Sequence, residues 1–247
     1  MKTVQLFFLL LSIQLLAQNK EPQMMKVTYK SVPFSQYRVD TDDSRPEEEK
    51  NLDRALSYGY KYYYNLTLDL KSNKSIYTFD TLVVDKPKGR EEYWLDPEDK
   101  LHYTARKNPM EYIKKEEIFQ RVFYTTGNIG DIKWNITNET KNIMGFECIK
   151  ATSKKEEFLI TVWFTKEIPV ISGPSNYFGL PGMVLWAEDF FRTISAEKIE
   201  YIKDPNFEDT YKSVLDKFEN DKGENETKEI IFLIKKAQLV KSMRSHI

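Results

Sequence analysis

The side chains of this sequence that could carry covalent or acid–base chemistry are few. They are Cys148, His102, His246 and the adjacent carboxylates Glu188-Asp189 beside Trp186. A nucleophilic Cys or Ser needs a base within hydrogen-bond reach. Cys148 with His102 is the one Cys–His combination inside the body of the chain, and nothing in its spacing favours catalysis. Cys148 stands in a strand-like run, Phe146-Glu147-Cys148-Ile149-Lys150-Ala151, where a thiol serves as a small buried hydrophobe. The alternative, a reactive thiol, needs an electropositive and accessible setting. One cysteine and two distant histidines do not make a structural zinc site. Glu188-Asp189 could form half of the carboxylate pair of glycoside hydrolysis. Neighbours on a strand point to opposite faces, however, so strand-end charge explains them more simply. No G-x-S-x-G elbow, H-E-x-x-H helix or G-x-x-x-x-G-K-[ST] loop occurs. The sequence therefore predicts no catalytic residue, no metal and no cofactor.

The residues that stand out most concern shape. The run Ser172-Gly173-Pro174-Ser175-Asn176-Tyr177-Phe178-Gly179-Leu180-Pro181-Gly182-Met183-Val184-Leu185 holds three of the chain's nine glycines and two of its ten prolines. Glycine permits positive φ or close backbone approach, and proline fixes φ and forbids helix continuation. With Tyr177, Phe178 and Leu180 among them, these residues predict a tightly shaped loop between two strands, its apolar side chains pinned on the core. Gly173, Pro174, Phe178, Gly179, Leu180, Pro181 and Gly182 are its structural determinants.

Residues 1–17 have the layout of a cleaved targeting segment. Lys2 supplies the positive start, Val4 to Leu16 the apolar run, and Leu15-Leu16-Ala17 a small-residue cleavage site before Gln18. A membrane anchor is the alternative, but the run falls well short of the roughly 20 residues needed to span a bilayer. No cysteine lies near the cleavage site, so the expectation is an exported chain, periplasmic or secreted and not lipid-anchored, with 18–247 as a single β-rich domain. Without Lys2 the 37 basic side chains fall to 36 against 38 acidic ones, a formal charge of −2. There is no basic excess to neutralise phosphates, which argues against nucleic acid as a partner. The lone cysteine rules out an internal disulfide. The N-x-[ST] runs at Asn65, Asn73, Asn135, Asn138 and Asn225 are glycosylation acceptors only in a eukaryotic secretory context.

The positioning elements read mainly as β. Tyr60, Tyr62, Tyr64, Leu66, Leu68 and Leu70 occupy every second position, with Lys61, Asn65, Thr67, Asp69 and Lys71 between them. Period two places the first set on one face of a strand and leaves the other face wet. A turn at 71–75 and a hairpin partner at 76–79 follow. Further strands are expected at 26–29, 35–39, 92–95, 101–106, 111–114 and 118–124, then a turn at Thr126-Gly127-Asn128. Later strands are expected at 133–137, 146–152, 157–165, 183–187 and 193–201, with turns at 138–145 and 153–156. Phe158 to Phe164 is apolar on both faces, which predicts a central strand covered on both sides. About ten strands at this spacing predict an antiparallel sheet that curls, a half-barrel or bowl. Two helices close the chain. The first carries Phe207, Tyr211, Val214, Leu215 and Phe218 at helical spacing, after Asp204-Pro205-Asn206. The second, 229–243, carries an apolar stripe of Ile230, Leu233, Ile234, Ala237 and Val240 and a basic side of Lys235, Lys236, Lys241 and Arg244. Packing of that stripe on the sheet is expected, with membrane-surface binding as the alternative.

Three segments occur in an order that resembles a known family. They are Thr140 to Ala151, Val162-Trp163-Phe164-Thr165 through Ile168-Pro169-Val170, and Gly173-Pro174 to Leu185. Together they resemble the GLPGLI family of exported Bacteroidetes proteins, whose eponymous run stands here as Gly179-Leu180-Pro181-Gly182-Met183-Val184. The resemblance covers 134–187 and implies an exported β-rich protein of a family with no established activity. At fold level alone, the pattern is similar to the bowl-shaped N-terminal domain of a bacterial peptide:N-glycosidase and to curled-sheet lipoprotein carriers. Fold does not fix function.

Two functions of different class follow as expectations. One is a non-enzymatic binding or carrier protein, whose concave face, lined by Tyr60, Tyr62, Tyr64, Leu66 and Leu68, takes a lipid, another apolar ligand or an envelope partner. The other is a secreted hydrolase or glycan-directed accessory domain, supported by the glycosidase analogy alone. An open apolar cavity separates the first from a polar cleft with converging titratable groups.

Overall fold

The computed structural model describes residues 24–33, 46, 60–85, 103–108, 110–118, 121–155, 158–189, 192–223 and 226–244. The expected targeting segment 1–17, the strands at 35–39 and 92–95, and His102 lie outside the described residues. Among those described, the order is β1 (Met24–Pro33), β2 (Tyr60–Asp69), β3 (Ser75–Val84), β4 (Tyr103–Arg106), β5 (Glu111–Ile118) and β6 (Arg121–Asn128). A 3-10 turn at Ile129–Asp131 follows, then β7 (Asn135–Ile143), β8 (Phe146–Lys155), β9 (Phe158–Thr165), β10 (Met183–Glu188) and β11 (Arg192–Ile202). Helix α1 (Phe207–Asp221), β12 (Glu226–Lys228) and helix α2 (Glu229–Arg244) complete the chain.

The twelve described strands form one sheet in the order β12-β6-β5-β4-β3-β2-β1-β11-β10-β9-β8-β7, not closed into a barrel. The expected fold class holds with one correction. The pairing of β12 with β6 is parallel, so the sheet is mixed. A three-residue strand between two helices carries too little periodicity to be read from sequence. Three expected turns are also corrected, the one at 153–156 because β8 stays paired with β9 through Lys155. β6 runs through Asn128, and its Gly127 lies opposite Tyr112, whose hydroxyl occupies the space of a Cβ, 2.4 Å away. β7 runs on to Ile143 and turns only at Met144-Gly145, both at positive φ, the geometry of a two-residue hairpin turn.

Hydrogen-bonded neighbours project their side chains to the same face, so the register maps that face directly. One row reads Val27, Leu66, Tyr77, Thr104, Lys114, Thr125, Thr227. A second reads Met25, Leu68, Ser75, Arg106, Tyr112, Gly127. The face thus passes from mainly apolar at β1–β3 to polar and charged at β4–β6, with Arg106 on β4 and Lys114 on β5. Its apolar half is the main core, where the period-two stripe from Tyr60 to Leu68 is at most 7% exposed. Tyr177, Leu180, Met183, Val184 and Leu185 belong to the same buried cluster. Tyr64 stacks on Tyr77 with ring centroids 4.9 Å apart, and the Tyr29 hydroxyl donates to the Val184 carbonyl at 2.6 Å.

The opposite face at β4–β6 is covered by α1. Phe218 packs with Tyr103, Ala105, Ile113 and Tyr124, while Phe207 and Tyr211 pack with Met24 and Ile76. The five apolar positions read at helical spacing are those that α1 buries or half-buries. α2 differs from expectation. Of its expected stripe, Ile230 and Ile234 are exposed and Leu233 is half-buried, while the side chains of Ala237 and Val240 lie outside those described. Ile231 is exposed too, and the described buried side chains are Glu229 and Phe232. β9 is covered fully on one side and only in part on the other, where Trp163 is half-buried. Ile160, Val162 and Phe164 are buried, whereas Leu159 is 59% exposed. Among the described residues no helix is long and apolar enough to cross a membrane.

Candidate functional site

The glycine-rich stretch is the connection between β9 and β10, and its partners lie far across the sheet. Asn176 donates through Nδ2 to the Tyr112 hydroxyl on β5 and to Glu229 Oε1 at the start of α2, both at 3.1 Å. Arg106 Nη1 on β4 donates to the Ile171 carbonyl at 2.9 Å, and Trp134 Nε1 donates to the Phe178 carbonyl at 2.7 Å. Phe178 meets the Tyr112 ring edge-on at 5.6 Å. β5 and β10 are six strand spacings apart in the sheet order, about 29 Å if the sheet were flat. Arg192 on β11 reaches Glu116 on β5 at 3.5 Å although those strands are five spacings apart, about 24 Å in a flat sheet, so the sheet curls, and the loop straps across its concave face.

Each residue predicted to shape this loop has a defined place. Gly173, Pro174, Phe178, Leu180 and Gly182 are buried, while Gly179 and Pro181 are exposed. Gly179 has φ +91°, and a Cβ there would lie 2.9 Å from the Ile129 carbonyl oxygen. At Gly182 a Cβ would lie 2.1 Å from the Thr165 carbonyl oxygen, so β9 and the loop approach at a distance only glycine permits. Tyr177 donates to Asp189 Oδ2 at 2.7 Å, and Asp189 Oδ1 accepts the Arg192 backbone N–H at 2.9 Å. Asp189 therefore anchors the loop and the β10–β11 turn, which agrees with strand-end charge at Glu188-Asp189. Cys148 is buried, and burial pushes its thiol up to about 11, away from the reactive range.

Beneath the strap lies a buried charge network. Lys114 Nζ is 3.0 Å from both Glu116 Oε2 and Glu229 Oε1, and its ammonium stands 4.5 Å from the Phe232 ring centroid. Arg192 Nη2 reaches Glu116 Oε1 at 3.5 Å. Burial pulls the Lys114 pKa down, but the two carboxylates outweigh it and hold the ammonium above its ordinary 10.5. Tyr112 and Tyr177 are pushed up well above 10.0, first by burial and then by nearby carboxylates, Glu229 for Tyr112 and Asp189 for Tyr177. Glu229 is 3% exposed, and its second oxygen, Oε2, is buried with no hydrogen-bond partner among the described residues.

Glu229 also lines a cavity of about 610 Å³ at the end of β5 and β6. Lys107, Glu111, Asn128, Asp131 and Lys228 form its polar rim, with Tyr112, Gly127 and Ile230 among its other walls. This volume falls in the range of small-molecule sites, about 300–1,000 Å³. None of the cavity's residues is marked as functional by any sequence motif. Lys114 and Glu229 stand 115 positions apart, and no local pattern links them. The Tyr60, Tyr62, Tyr64, Leu66 and Leu68 stripe is brought together on one face, inside the packed core and not at this cavity.

Comparison with known proteins adds one match by family and several by structure. A family described as "Protein of unknown function (Porph_ging)" matches residues 152–186, the segment from β8 through the strap to β10. No curated protein matches the chain. A solved structure of PNGF-II is similar with a TM-score of 0.45 and 17% identity over 90% of this chain, and a second crystal form gives 0.43, 17% and 84%. The chain spans 32% and 31% of those structures' lengths. An uncharacterized conserved protein from Thermus thermophilus gives a TM-score of 0.37 and 5% identity over 80% of this chain and 91% of its own.

Proposed function

We propose that this chain is an exported, non-enzymatic binding protein of the GLPGLI family, and that its ligand site is the cavity at the end of β5 and β6. One observation carries the reading: a cavity of about 610 Å³ backed by a buried, pre-organised charge network. Fixed, desolvated polar groups around a concave space serve to orient a ligand at low reorganisation cost. The strap that holds Asn176 against Tyr112 and Glu229 is the part of the chain that carries both the GLPGLI-like run and the family match. Export rests on the segment 1–17, with release at Gln18 into the periplasm or medium. The apolar-carrier variant places the ligand on the Tyr60–Leu68 stripe. A ligand there has to displace side chains of the packed core cluster.

The test is native mass spectrometry of the protein recovered from its own cell envelope, beside an Ile230→Trp variant. Ile230 is a cavity wall and is exposed, so the larger indole narrows the space without entering the core. The expected result is a mature chain starting at Gln18 with a non-covalent adduct that the variant lacks. A bare wild-type chain, or an adduct held equally by both proteins, contradicts the assignment.

A further inference from the structure

α2 carries apolar residues on two sides, and the sheet takes only one of them. Glu229 and Phe232 face inward with Leu233 half-buried, while Ile230, Ile231 and Ile234 are exposed. Ile234 lies one turn beyond both Ile230 and Ile231, so the three adjoin on the helix surface. Among the described residues, the other exposed large apolar side chains stand one or two to an element. Single exposed apolar residues are ordinary on a protein surface, whereas a contiguous patch marks a contact.

The charge around the patch selects what covers it. Residues 228–247 hold five basic side chains, Lys228, Lys235, Lys236, Lys241 and Arg244. Their one acidic residue, Glu229, is buried and paired with Lys114. The rest of the chain keeps 32 of the 37 basic residues and 37 of the 38 acidic ones, a formal charge of −5. The C-terminal segment is thus a basic pole on an otherwise acidic chain. Lys228 and Lys235 are exposed, and Glu226 just ahead of the helix is already paired with Lys222 at 2.8 Å. Glu111 and Asp131, which share the cavity wall with Ile230, are matched there by Lys107 and Lys228. A second copy seated on this face would set lysines against lysines, with no exposed carboxylate on α2 to pair them, and like charges in an interface are repulsive. An anionic bilayer surface suits both parts of the patch. Its headgroups attract the lysines, whose stems snorkel, and its acyl boundary receives the isoleucines.

We infer that α2 is an interfacial helix that seats the protein reversibly on an anionic phospholipid surface. Ile230, Ile231 and Ile234 enter the headgroup–acyl boundary, and Lys235 reaches the phosphates. Among the described residues no helix is long and apolar enough to cross the bilayer, so α2 lies in the plane of the interface. This docking does not depend on the cavity holding a ligand.

The experiment is vesicle flotation of the full mature chain, with mixed phosphatidylglycerol–phosphatidylcholine vesicles beside pure phosphatidylcholine ones. Wild type is compared with Ile231→Gln/Ile234→Gln and Lys235→Gln/Lys241→Gln, none of them in the cavity wall. Thermal unfolding and sedimentation are measured for each. Expected is binding to the anionic vesicles, weaker by about tenfold or more on neutral vesicles and in either double variant. Unfolding midpoints should stay near wild type, because glutamine is a good helix former and the isoleucines replaced are exposed. Raising salt from about 0.1 M to about 0.5 M should release the protein from the anionic vesicles. Equal binding to both vesicle types, or anionic binding unchanged in either variant, overturns the inference. So does a folded wild type that floats with neither. A wild-type dimer that floats with neither, and that the isoleucine variant dissociates, overturns it by assigning the face to a second copy.

Discussion

At the scale of single residues, close approach explains the glycines better than turn propensity does. Gly182 is held by its distance to the Thr165 carbonyl and Gly179 by its positive φ, whereas Gly130 has open space around its Cα and an ordinary φ. Gly182→Val should therefore lower unfolding stability by more than about 1 kcal/mol in urea titrations, because either β9 or the strap has to move. Gly130→Ala should stay within about 0.5 kcal/mol of wild type. A Gly182→Val protein that unfolds like wild type would show that the strap tolerates displacement, leaving its composition to be explained by binding. Composition makes this loop legible in the sequence, since glycine, proline and aromatics rarely gather without a packing reason. The same logic fails at Gly127. Its neighbours Thr126 and Asn128 suggest a turn, and only the Tyr112 hydroxyl across the strand pair reveals why a glycine is needed there.

At the scale of elements, β2 is the most readable part of the chain, because a half-buried strand writes its burial directly into alternate positions. What the alternation does not contain is the identity of the cover. Sequence alone suggests the C-terminal helices or a ligand. The buried cluster instead joins the stripe to the strap and β10, while α1 covers the other face at β4–β6. Leu66→Ala and Leu68→Ala should each cost about 2–5 kcal/mol in denaturant unfolding, both side chains being 1% exposed. An apolar fluorescent probe should find no stoichiometric site on the wild type. Mild truncation costs together with one-to-one probe binding would return the stripe to the role of a carrier surface. α2 shows the reverse limit. Its apolar residues recur at helical spacing, yet Glu229 and Phe232 face inward because the charged half of the bowl accepts a carboxylate and one ring, and Ile230, Ile231 and Ile234 stay exposed. Periodicity reports a face but not its destination.

At the scale of the whole molecule, the curl brings residues from β4, β5, β11, the strap and α2 into one interior, and no sequence separation hints at that convergence. The same interior sets the pH limit of the fold. Tyr29, Tyr103, Tyr112, Tyr177 and Tyr211 are all raised above 10.0, with burial the largest cause in each case. A folded-state value above the unfolded one means the native chain keeps its protons longer, so stability is intact below 10.0 and falls as pH rises beyond it. Lys114 acts in the same direction above 10.5, since its ion pairs are lost as the ammonium deprotonates. Tyrosinate absorbance followed with circular dichroism should show a block of phenols that titrates only as the fold collapses. Smooth, independent ionisation of these phenols in a folded chain would contradict the packing described. The most direct test of the central claim is a crystal structure of the protein purified from its own envelope without added ligand. The cavity assignment predicts well-ordered non-protein density among the Lys107, Asn128, Lys228 and Glu229 walls of that cavity. Water alone in that cavity, with ligand density over Tyr60 to Leu68 instead, would contradict it.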